Sequence, residues 1–272
     1  MIGFANAKIN LGLFITEKRD DGFHNLETIF YPIALHDVIE FIPSESQQLE
    51  LHTQGIQIPG QNTDNLILKS YQLLSKEFDL PPLQINLIKN IPTGAGLGGG
   101  SSDGARMLQM LNDYFQLNIH SDKLMEYAST LGSDCAFFIL NQPCFASGRG
   151  EILQPVNLDL SGYSLHLIHP GIHISTKEAF AKIKPKPSNF DLKNLMLNDI
   201  SSWKDIIRND FEESVFPQYP ELSEIKQTLY REGAVYASMS GSGSAMFGIF
   251  PPEYQKRTID FPSSYLSIHI QL

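Results

Sequence analysis

A glycine-rich stretch at residues 90–103 constrains this chain more than any other part of it. Five of its fourteen residues are glycine, and two serines and an aspartate close it. A strand-like run precedes it at residues 83–88, and apolar residues at helical steps follow it from Ala105 to Phe115. A strand that turns through glycines into a helix N-terminus presents backbone N–H groups and partial positive charge. The stretch therefore predicts a phosphate-binding loop.

Several kinds of phosphate loop share such glycines. Gly94, Gly96 and Gly99 match the spacing of a dinucleotide fingerprint, but no strand carrying an acidic residue follows about 20 positions on. The end of the stretch lacks the lysine of a P-loop. His-Arg-Asp and Asp-Phe-Gly triplets, which mark protein kinases, are missing from the sequence. A different class of nucleotide-binding protein is expected.

Composition narrows the possible partners. The net charge of −10 over 272 residues argues against nucleic-acid binding, which uses a cationic surface. It does not argue against ATP, because backbone donors and a metal ion can meet phosphate charge. Apolar runs fall short of the roughly 18 residues of a membrane span, and the N-terminus does not look like a signal peptide. Two cysteines fit a reducing compartment, so we expect a cytoplasmic protein without membrane association.

Three segments in order resemble the motifs of the GHMP kinases. Residues 92–103 are similar to the central Pro-x-x-x-Gly-Leu-Gly-Ser-Ser motif, residues 7–11 to the N-terminal motif and residues 240–245 to the C-terminal glycine motif. The resemblance implies an α+β fold of two domains, the N-terminal one like ribosomal protein S5 domain 2 and the C-terminal one ferredoxin-like. It also implies an active site in the cleft between them. We expect the domains at residues 1–155 and 156–272.

The resemblance implies that the loop holds ATP. The ATP-binding residues would be Pro92, Thr93, Gly94, Ala95, Gly96, Leu97, Gly98, Gly99, Gly100, Ser101 and Ser102, with Asn65 at the adenine. Asn65 equally suits a helix cap. Mg²⁺ is the implied metal, and the hydroxyl of Ser101 or Ser102 can reach it, although the sequence identifies no acidic ligand.

Two residues are candidates for the chemistry. Asp134 stands after Gly132 at the start of an apolar run, where a carboxylate can accept a proton. Lys8 and Asn10 lie two positions apart, so they share one face of a strand. The resemblance implies that Asp134 is the base and that Lys8 keeps it ionised and acidifies the substrate hydroxyl.

Residues 21–28 indicate which molecule accepts the phosphoryl group. They resemble a segment of those GHMP kinases whose substrate carries a cytidine diphosphate. The resemblance implies that Phe23 and His24 receive the cytosine, with Thr176 completing the pocket and Asn10 positioning the reacting groups. Phe23 replaces the usual tyrosine, so it keeps a ring but loses a hydroxyl. The turn containing Gly241 and Ser242 would support either the glycine loop or the substrate phosphates.

The implied reaction is ATP-dependent phosphorylation of the tertiary C2 hydroxyl of a methylerythritol that carries cytidine diphosphate. It belongs to the non-mevalonate route to isoprenoid precursors. A related kinase acting on homoserine or mevalonate is an alternative, and a catalytically inactive nucleotide-binding regulator is another. The expected partner is a small-molecule substrate, and the sequence leaves monomer and homodimer open.

Overall fold

The computed structural model describes residues 1–60, 62–254 and 258–272. It divides into two compact units that interleave along the chain. The first comprises Met1–Ala7, Leu35–Thr93 and Gly98–Gln142, and the second comprises Lys8–Ala34, Gly94–Leu97 and Pro143–Leu272. The predicted domain boundary at residue 155 is a sequential division, and it stays a prediction.

Two long strands contribute residues to both units. They are β1 (Ile2–Lys18) and β2 (His24–Pro43), which pair with each other. The first residues of β1 alternate between exposed and buried, but residues 7–15 are buried without a break. A strand covered on both faces has no solvent side on which to place polar residues. Lys8 and Asn10 are consequently buried within it.

In the first unit, β3 (Glu50–Gly55) pairs in parallel with β4 (Leu83–Lys89). β4 pairs antiparallel with residues 38–43 of β2. The helices of this unit are α1 (Leu66–Leu74), α2 (Gly99–Tyr114), α3 (Ser121–Leu131) and α4 (Cys135–Leu140).

Helix α2 follows the glycine loop and is the central helix of the first unit. Its buried apolar residues recur at helical spacing, with Ala105, Leu108 and Leu111 fully buried. Helix α1 packs closely on it, since the hydroxyl of Ser70 donates to the carbonyl of Gly104 at 2.9 Å. This packing fixes the position of the helix whose N-terminus ends the loop.

In the second unit, β5 (Cys144–Ser147) pairs antiparallel with residues 28–30 of β2 and with β6 (Ile152–Pro155). A separate antiparallel sheet has the order β10-β7-β9-β8. Its strands are β7 (Ser164–His169), β8 (Tyr236–Met239), β9 (Met246–Phe250) and β10 (Leu266–Gln271). Strands and helices thus mix in both units, as an α+β fold requires.

The remaining helices belong to the second unit. They are α5 (Thr176–Phe180), α6 (Trp203–Ile206), α7 (Phe211–Val215) and α8 (Pro220–Arg231). Helix α8 buries Leu222, Ile225 and Leu229 against the sheet, at the spacing of one helical face. Helix α5 ends at Phe180, and Pro185 and Pro187, which cannot continue a helix, follow within one to two turns.

Candidate active site

The glycine loop joins β4 to α2, as the sequence predicts. Gly94, Gly96 and Gly98 have φ of +69°, +80° and +72°, a region that L side chains rarely adopt. Gly98 is the residue before the helix, and the first turn of α2 begins with the hydrogen bond from Ser102 N to Gly98 O, 2.9 Å long. The first N–H groups of an α-helix have no partner inside it. Such a helix N-terminus after a glycine turn is suited to a phosphate chain.

A second glycine turn, residues 240–244, joins β8 to β9 and contacts the tip of the loop. Ala245 N donates to Ala95 O at 3.1 Å, and Ser240 Oγ donates to Gly96 O at 2.8 Å. Gly241 is buried in this turn and Ser242 is half-buried. The sequence predicts that this turn supports either the glycine loop or the substrate phosphates. These contacts are consistent with support of the glycine loop.

Lys8 lies against the same loop tip. Its Nζ donates to Gly96 O at 3.0 Å and to Asn10 Oδ1 at 2.7 Å, so the two side chains share a strand face as predicted. The ammonium also sits 4.8 Å from the centre of the Phe30 ring. Lys8 is only 3 % exposed, and a buried ammonium needs such electron-rich neighbours. The second unit therefore brings Lys8, Asn10 and Gly94–Leu97 together.

A buried ionic cluster in the first unit, formed by Asp37, Lys89 and Asp103, fastens both ends of the loop. Lys89 Nζ donates to Asp37 Oδ2 and, at 2.7 Å, to Asp103 Oδ2. Asp37 Oδ1 accepts the backbone N–H groups of Asn90 and Ile91 at 2.6 and 2.8 Å. The cluster thus joins the residues before the loop to the first turns of α2.

The cluster is electrostatically unusual. Burial raises the pKa of Asp103 to about 7; the Lys89 ammonium opposes this rise and the Asp37 carboxylate adds to it. The sequence does not reveal this cluster, because its residues are 52 and 14 positions apart. The sequence offers only a weak signal for it, which is that each of the three is a charged residue in an apolar strand or on the buried side of a helix.

Asp134 directly precedes α4, after Gly132 has ended α3. The run after Asp134 is buried, as its apolar sequence predicts, and it is helical. The Asp134 side chain makes no capping hydrogen bond to α4, although the residue stands at the capping position. An ordinary cap therefore does not account for it. Asp134 is half-buried and belongs to the first unit.

The other predicted ATP residues lie mainly in the first unit, including Pro92, Thr93, Gly99 and Gly100. Asn65 caps α1, where its Oδ1 accepts Ile67 N at 2.9 Å. Ser102 is 2 % exposed, whereas Ser101 is half-buried. The role of Asn65 in binding adenine stays a prediction, and so does the role of a serine in binding Mg²⁺.

The residues predicted for the cytosine lie in the second unit. His24 stacks on Phe180 at a centroid distance of 4.7 Å and an interplanar angle of 17°. Burial lowers the pKa of His24, and the charge of Lys18 adds to this. Phe23 is 55 % exposed, with the Arg149 guanidinium 5.0 Å from its ring. A neutral imidazole that is stacked on a phenyl ring offers a flat surface, which suits a planar base.

Helix α5 begins at Thr176, which is predicted to complete that pocket, and ends at Phe180, the stacking partner of His24. Ser175 caps the helix by accepting Glu178 N at 3.1 Å. The sequence pattern does not single out Phe180, whose contact with His24 spans more than 150 residues of chain. Such a contact has no local signature.

Two features are absent from residues 1–60, 62–254 and 258–272, the part of the chain that the structure describes. Within these ranges no helix is both long and apolar enough to cross a bilayer. The same ranges contain no group of three or more His, Cys, Asp or Glu side chains placed to hold a metal ion.

The chain matches two models of known domains. The model for the GHMP kinase N-terminal domain matches residues 65–148, and that for the C-terminal domain matches residues 191–265. The mevalonate kinase of Methanococcus jannaschii has the same fold, with a TM-score of 0.71 at 13 % identity over 100 % of this chain and 98 % of that one. The chain belongs to the GHMP kinases.

Closer relatives define the family within that class. A 4-diphosphocytidyl-2-C-methyl-D-erythritol kinase of Bacteroides thetaiotaomicron is 56 % identical over 93 % of both chains. One of Parabacteroides distasonis is 47 % identical over 95 % of this chain and 96 % of that one. A crystal structure of 4-(cytidine 5'-diphospho)-2C-methyl-D-erythritol kinase is 32 % identical, with a TM-score of 0.78 over 92 % and 90 % of the chains. The chain belongs to this family of kinases.

Proposed function

We propose that this chain transfers the γ-phosphate of ATP to the C2 hydroxyl of 4-diphosphocytidyl-2-C-methyl-D-erythritol. The products are the 2-phosphate and ADP, and the step lies on the non-mevalonate route to isoprenoid precursors. The observation that carries the proposal is the identity of 56 % to a kinase of that name over 93 % of both chains. We expect the enzyme to act in the cytoplasm, as a monomer or homodimer, with residues 1–155 and 156–272 as its domains.

The donor site follows from the shape of the loop. Three loop glycines with positive φ let the backbone turn tightly before the N-terminus of α2. Backbone N–H groups and the helix dipole then face the triphosphate, and these fixed dipoles need no rearrangement during the reaction. Residues 92–102 hold ATP in this proposal, and Asn65 contributes to the adenine site.

Asp134 and Lys8 carry out the chemistry in this proposal. Asp134 accepts the proton of the C2 hydroxyl, the hydroxyl oxygen attacks the γ-phosphorus, and the bond from that phosphorus to the leaving ADP oxygen breaks. A tertiary hydroxyl is crowded, so a positioned base is especially useful. Lys8 favours the ionised forms of the carboxyl and of the attacking oxygen. Gly96 and Asn10 accept hydrogen bonds from Lys8, which restricts the ammonium to one orientation.

The acceptor site uses aromatic side chains of the second unit. His24 is already stacked on Phe180, and the exposed Phe23 ring offers a second flat surface to the cytosine. Thr176 starts the same short helix that Phe180 ends, so its hydroxyl can add a polar contact. The turn at Gly241 and Ser242 holds the loop tip that faces the phosphates.

Mg²⁺ is the metal that we expect with ATP. It supplies charge neutralisation on the phosphates when bound, and it commonly takes only one or two protein oxygens beside water and phosphate. A serine hydroxyl fits that need. Ser101 suits it better than Ser102, because Ser101 is half-buried while Ser102 is 2 % exposed.

An ADP-release assay with ATP and Mg²⁺ tests the proposal. The purified protein is offered the diphosphocytidyl substrate, homoserine or mevalonate in separate reactions. We expect turnover with the first alone. Turnover with homoserine or mevalonate instead would support a related kinase, and nucleotide binding without any turnover would support a regulator. Either result contradicts the proposal.

A further inference from the structure

A chain of hydrogen bonds within the second unit leads from β2 to Lys8. Thr28 is fully buried, and its hydroxyl lies 2.5 Å from Gly12 O and 3.0 Å from Asn10 Nδ2. On its other side, Asn10 Oδ1 lies 2.7 Å from Lys8 Nζ and 3.4 Å from Ser240 Oγ. Thr28 itself does not touch Lys8 in this chain of contacts, and the proposed reaction assigns it no role.

The direction of each bond in this chain is fixed by chemistry. A carbonyl oxygen only accepts, so the single hydroxyl hydrogen of Thr28 goes to Gly12 O. The Thr28 oxygen is then an acceptor towards Asn10, and only the amide nitrogen of Asn10 can donate to it. The amide oxygen of Asn10 must point the opposite way, towards Lys8.

The orientation of the amide matters because an asparagine side chain has nearly the same shape when it is rotated by half a turn. The rotated form would turn the NH₂ group of Asn10 towards the Lys8 ammonium, where two donors would face each other. Lys8 is 3 % exposed, so little water could compensate for the lost acceptor. The ammonium would have to move from its place beside Gly96 O, 3.0 Å away.

We propose that Thr28 is a positioning residue for phosphoryl transfer, which fixes the amide of Asn10 so that its oxygen holds the Lys8 ammonium in place. The inference rests on the proposed function, because it takes the role of Lys8 from there. Ser240 complements this arrangement, since its hydroxyl donates to Gly96 O, the other acceptor of Lys8. The loop tip and the lysine therefore share one set of hydrogen bonds.

A purely structural role is the competing explanation. Thr28 could serve only to satisfy the buried carbonyl of Gly12, as hydroxyls on strands often do. That role predicts a loss of stability on removing the hydroxyl and no selective effect on turnover. The positioning role predicts a lower kcat while the KM for ATP is retained, because Gly96 O keeps its hydrogen bond from Ser240 and the loop residues themselves are unchanged.

The test compares Thr28→Val, which keeps the shape without the hydroxyl, with Thr28→Ser, which keeps the hydroxyl. For Thr28→Val we expect kcat to fall about 10-fold to 100-fold with the KM for ATP within about 2-fold of wild type. Thr28→Ser should keep at least about half of the wild-type kcat. Tyr71→Phe is the matched control, because it removes a buried hydroxyl that donates to Leu80 O and Pro81 O, and none of these three residues belongs to the proposed site. It should lower thermal stability and leave kcat unchanged.

A double-mutant cycle with Asn10→Ala tests whether Thr28 acts through Asn10. If it does, adding Thr28→Val to Asn10→Ala lowers kcat by less than about 2-fold further. Independent, additive losses would overturn the inference, as would a wild-type kcat in Thr28→Val. If Thr28→Val does not fold, Thr28→Ala replaces it, since a water can occupy the vacated space and donate to Gly12 O. A wild-type protein without turnover would contradict the proposed function. If the wild type is active and Thr28→Val has the same kcat, only this inference is contradicted.

Discussion

The Cβ of any side chain at Gly96 would lie 1.9 Å from the carbonyl oxygen of Ser240. The two glycine turns therefore touch through their backbones, with no room for even a methyl group. Gly96 also has φ of +80°, and its own carbonyl accepts from Lys8 and Ser240. The tip of the glycine loop, Gly94–Leu97, belongs with this turn to the second unit.

Gly96→Ala should damage both the loop and nucleotide binding. The new methyl group meets a backbone atom, which cannot move aside cheaply, and the positive φ adds strain. We expect a loss of roughly 3 kcal/mol of stability, which lowers Tm by about 6–10 °C in a chain of this size. ATP affinity should fall by about 10-fold or more, because the backbone N–H groups of this loop are the proposed hydrogen-bond donors to the phosphates of ATP. Thermal unfolding and ATP titration measure the two effects.

Gly100→Ala is the folding control for this substitution. Gly100 lies in the first turn of α2, and a Cβ there would meet nothing within 4 Å. Its Tm should equal that of wild type or exceed it slightly, because alanine favours a helix over glycine by up to about 1 kcal/mol. Equal Tm and ATP affinity for Gly96→Ala and wild type would show that the contact with Ser240 is not needed.

The ionic cluster of Asp37, Lys89 and Asp103 should make stability depend on pH. Burial raises the pKa of Asp103 to about 7 in the folded protein, above the 3.8 of an ordinary aspartate. The folded state therefore holds this proton more tightly than the unfolded state. Its contribution is fully present below pH 3.8 and disappears as the pH rises through 7.

Asp103→Asn removes that contribution and can still accept a hydrogen bond from Lys89. Between pH 5 and pH 8, the free energy of unfolding of wild type should fall by roughly 2 kcal/mol more than that of the variant. Urea unfolding at several pH values measures the difference. Asp113→Asn, an exposed position in the same helix, should follow wild type. Parallel curves for wild type and Asp103→Asn would refute the assigned role of this carboxyl.

The sequence predicts the position of the glycine loop and the strand face shared by Lys8 and Asn10, because both signals are local. Glycines at positive φ must appear as glycines in the sequence, and two residues on one strand face must be two positions apart. Contacts that join distant segments leave no such trace. Asp37 and Lys89 are 52 positions apart, and Thr28 and Asn10 are 18 apart. Each residue alone resembles an ordinary polar residue in a strand, so the network becomes visible only when the strands are paired.

Asn209 supports the second glycine turn through both hydrogens of its amide. Nδ2 donates to Met239 O and to Gly241 O, each at 2.8 Å, while Oδ1 accepts Phe211 N at 3.0 Å. Asn209→Asp has the same shape but would set a carboxylate oxygen against two carbonyls. Because the site is 2 % exposed, we expect a loss of about 3 kcal/mol in urea unfolding.

The matched control for Asn209→Asp is Asn198→Asp, where the amide makes one solvent-exposed bond to Asn194 O. It should change stability by less than about 0.5 kcal/mol. If Asn209→Asp were equally mild, the turn would not depend on these two bonds.

Asp134→Asn tests the proposed base directly. Asparagine keeps the size of the side chain but cannot take up the proton of the acceptor hydroxyl, so kcat should fall by about 10²-fold to 10⁴-fold. ATP affinity should stay near that of wild type, because the loop and α2 are unchanged. Asp122→Asn, whose side chain is 79 % exposed in α3, is the control and should turn over normally. A wild-type kcat in Asp134→Asn would remove this residue from the base role, and the proton would then have to leave by another group or by water. A loss of ATP affinity in step with kcat would instead show that Asp134 acts on nucleotide binding, because a base is needed only when the bond to the γ-phosphorus forms.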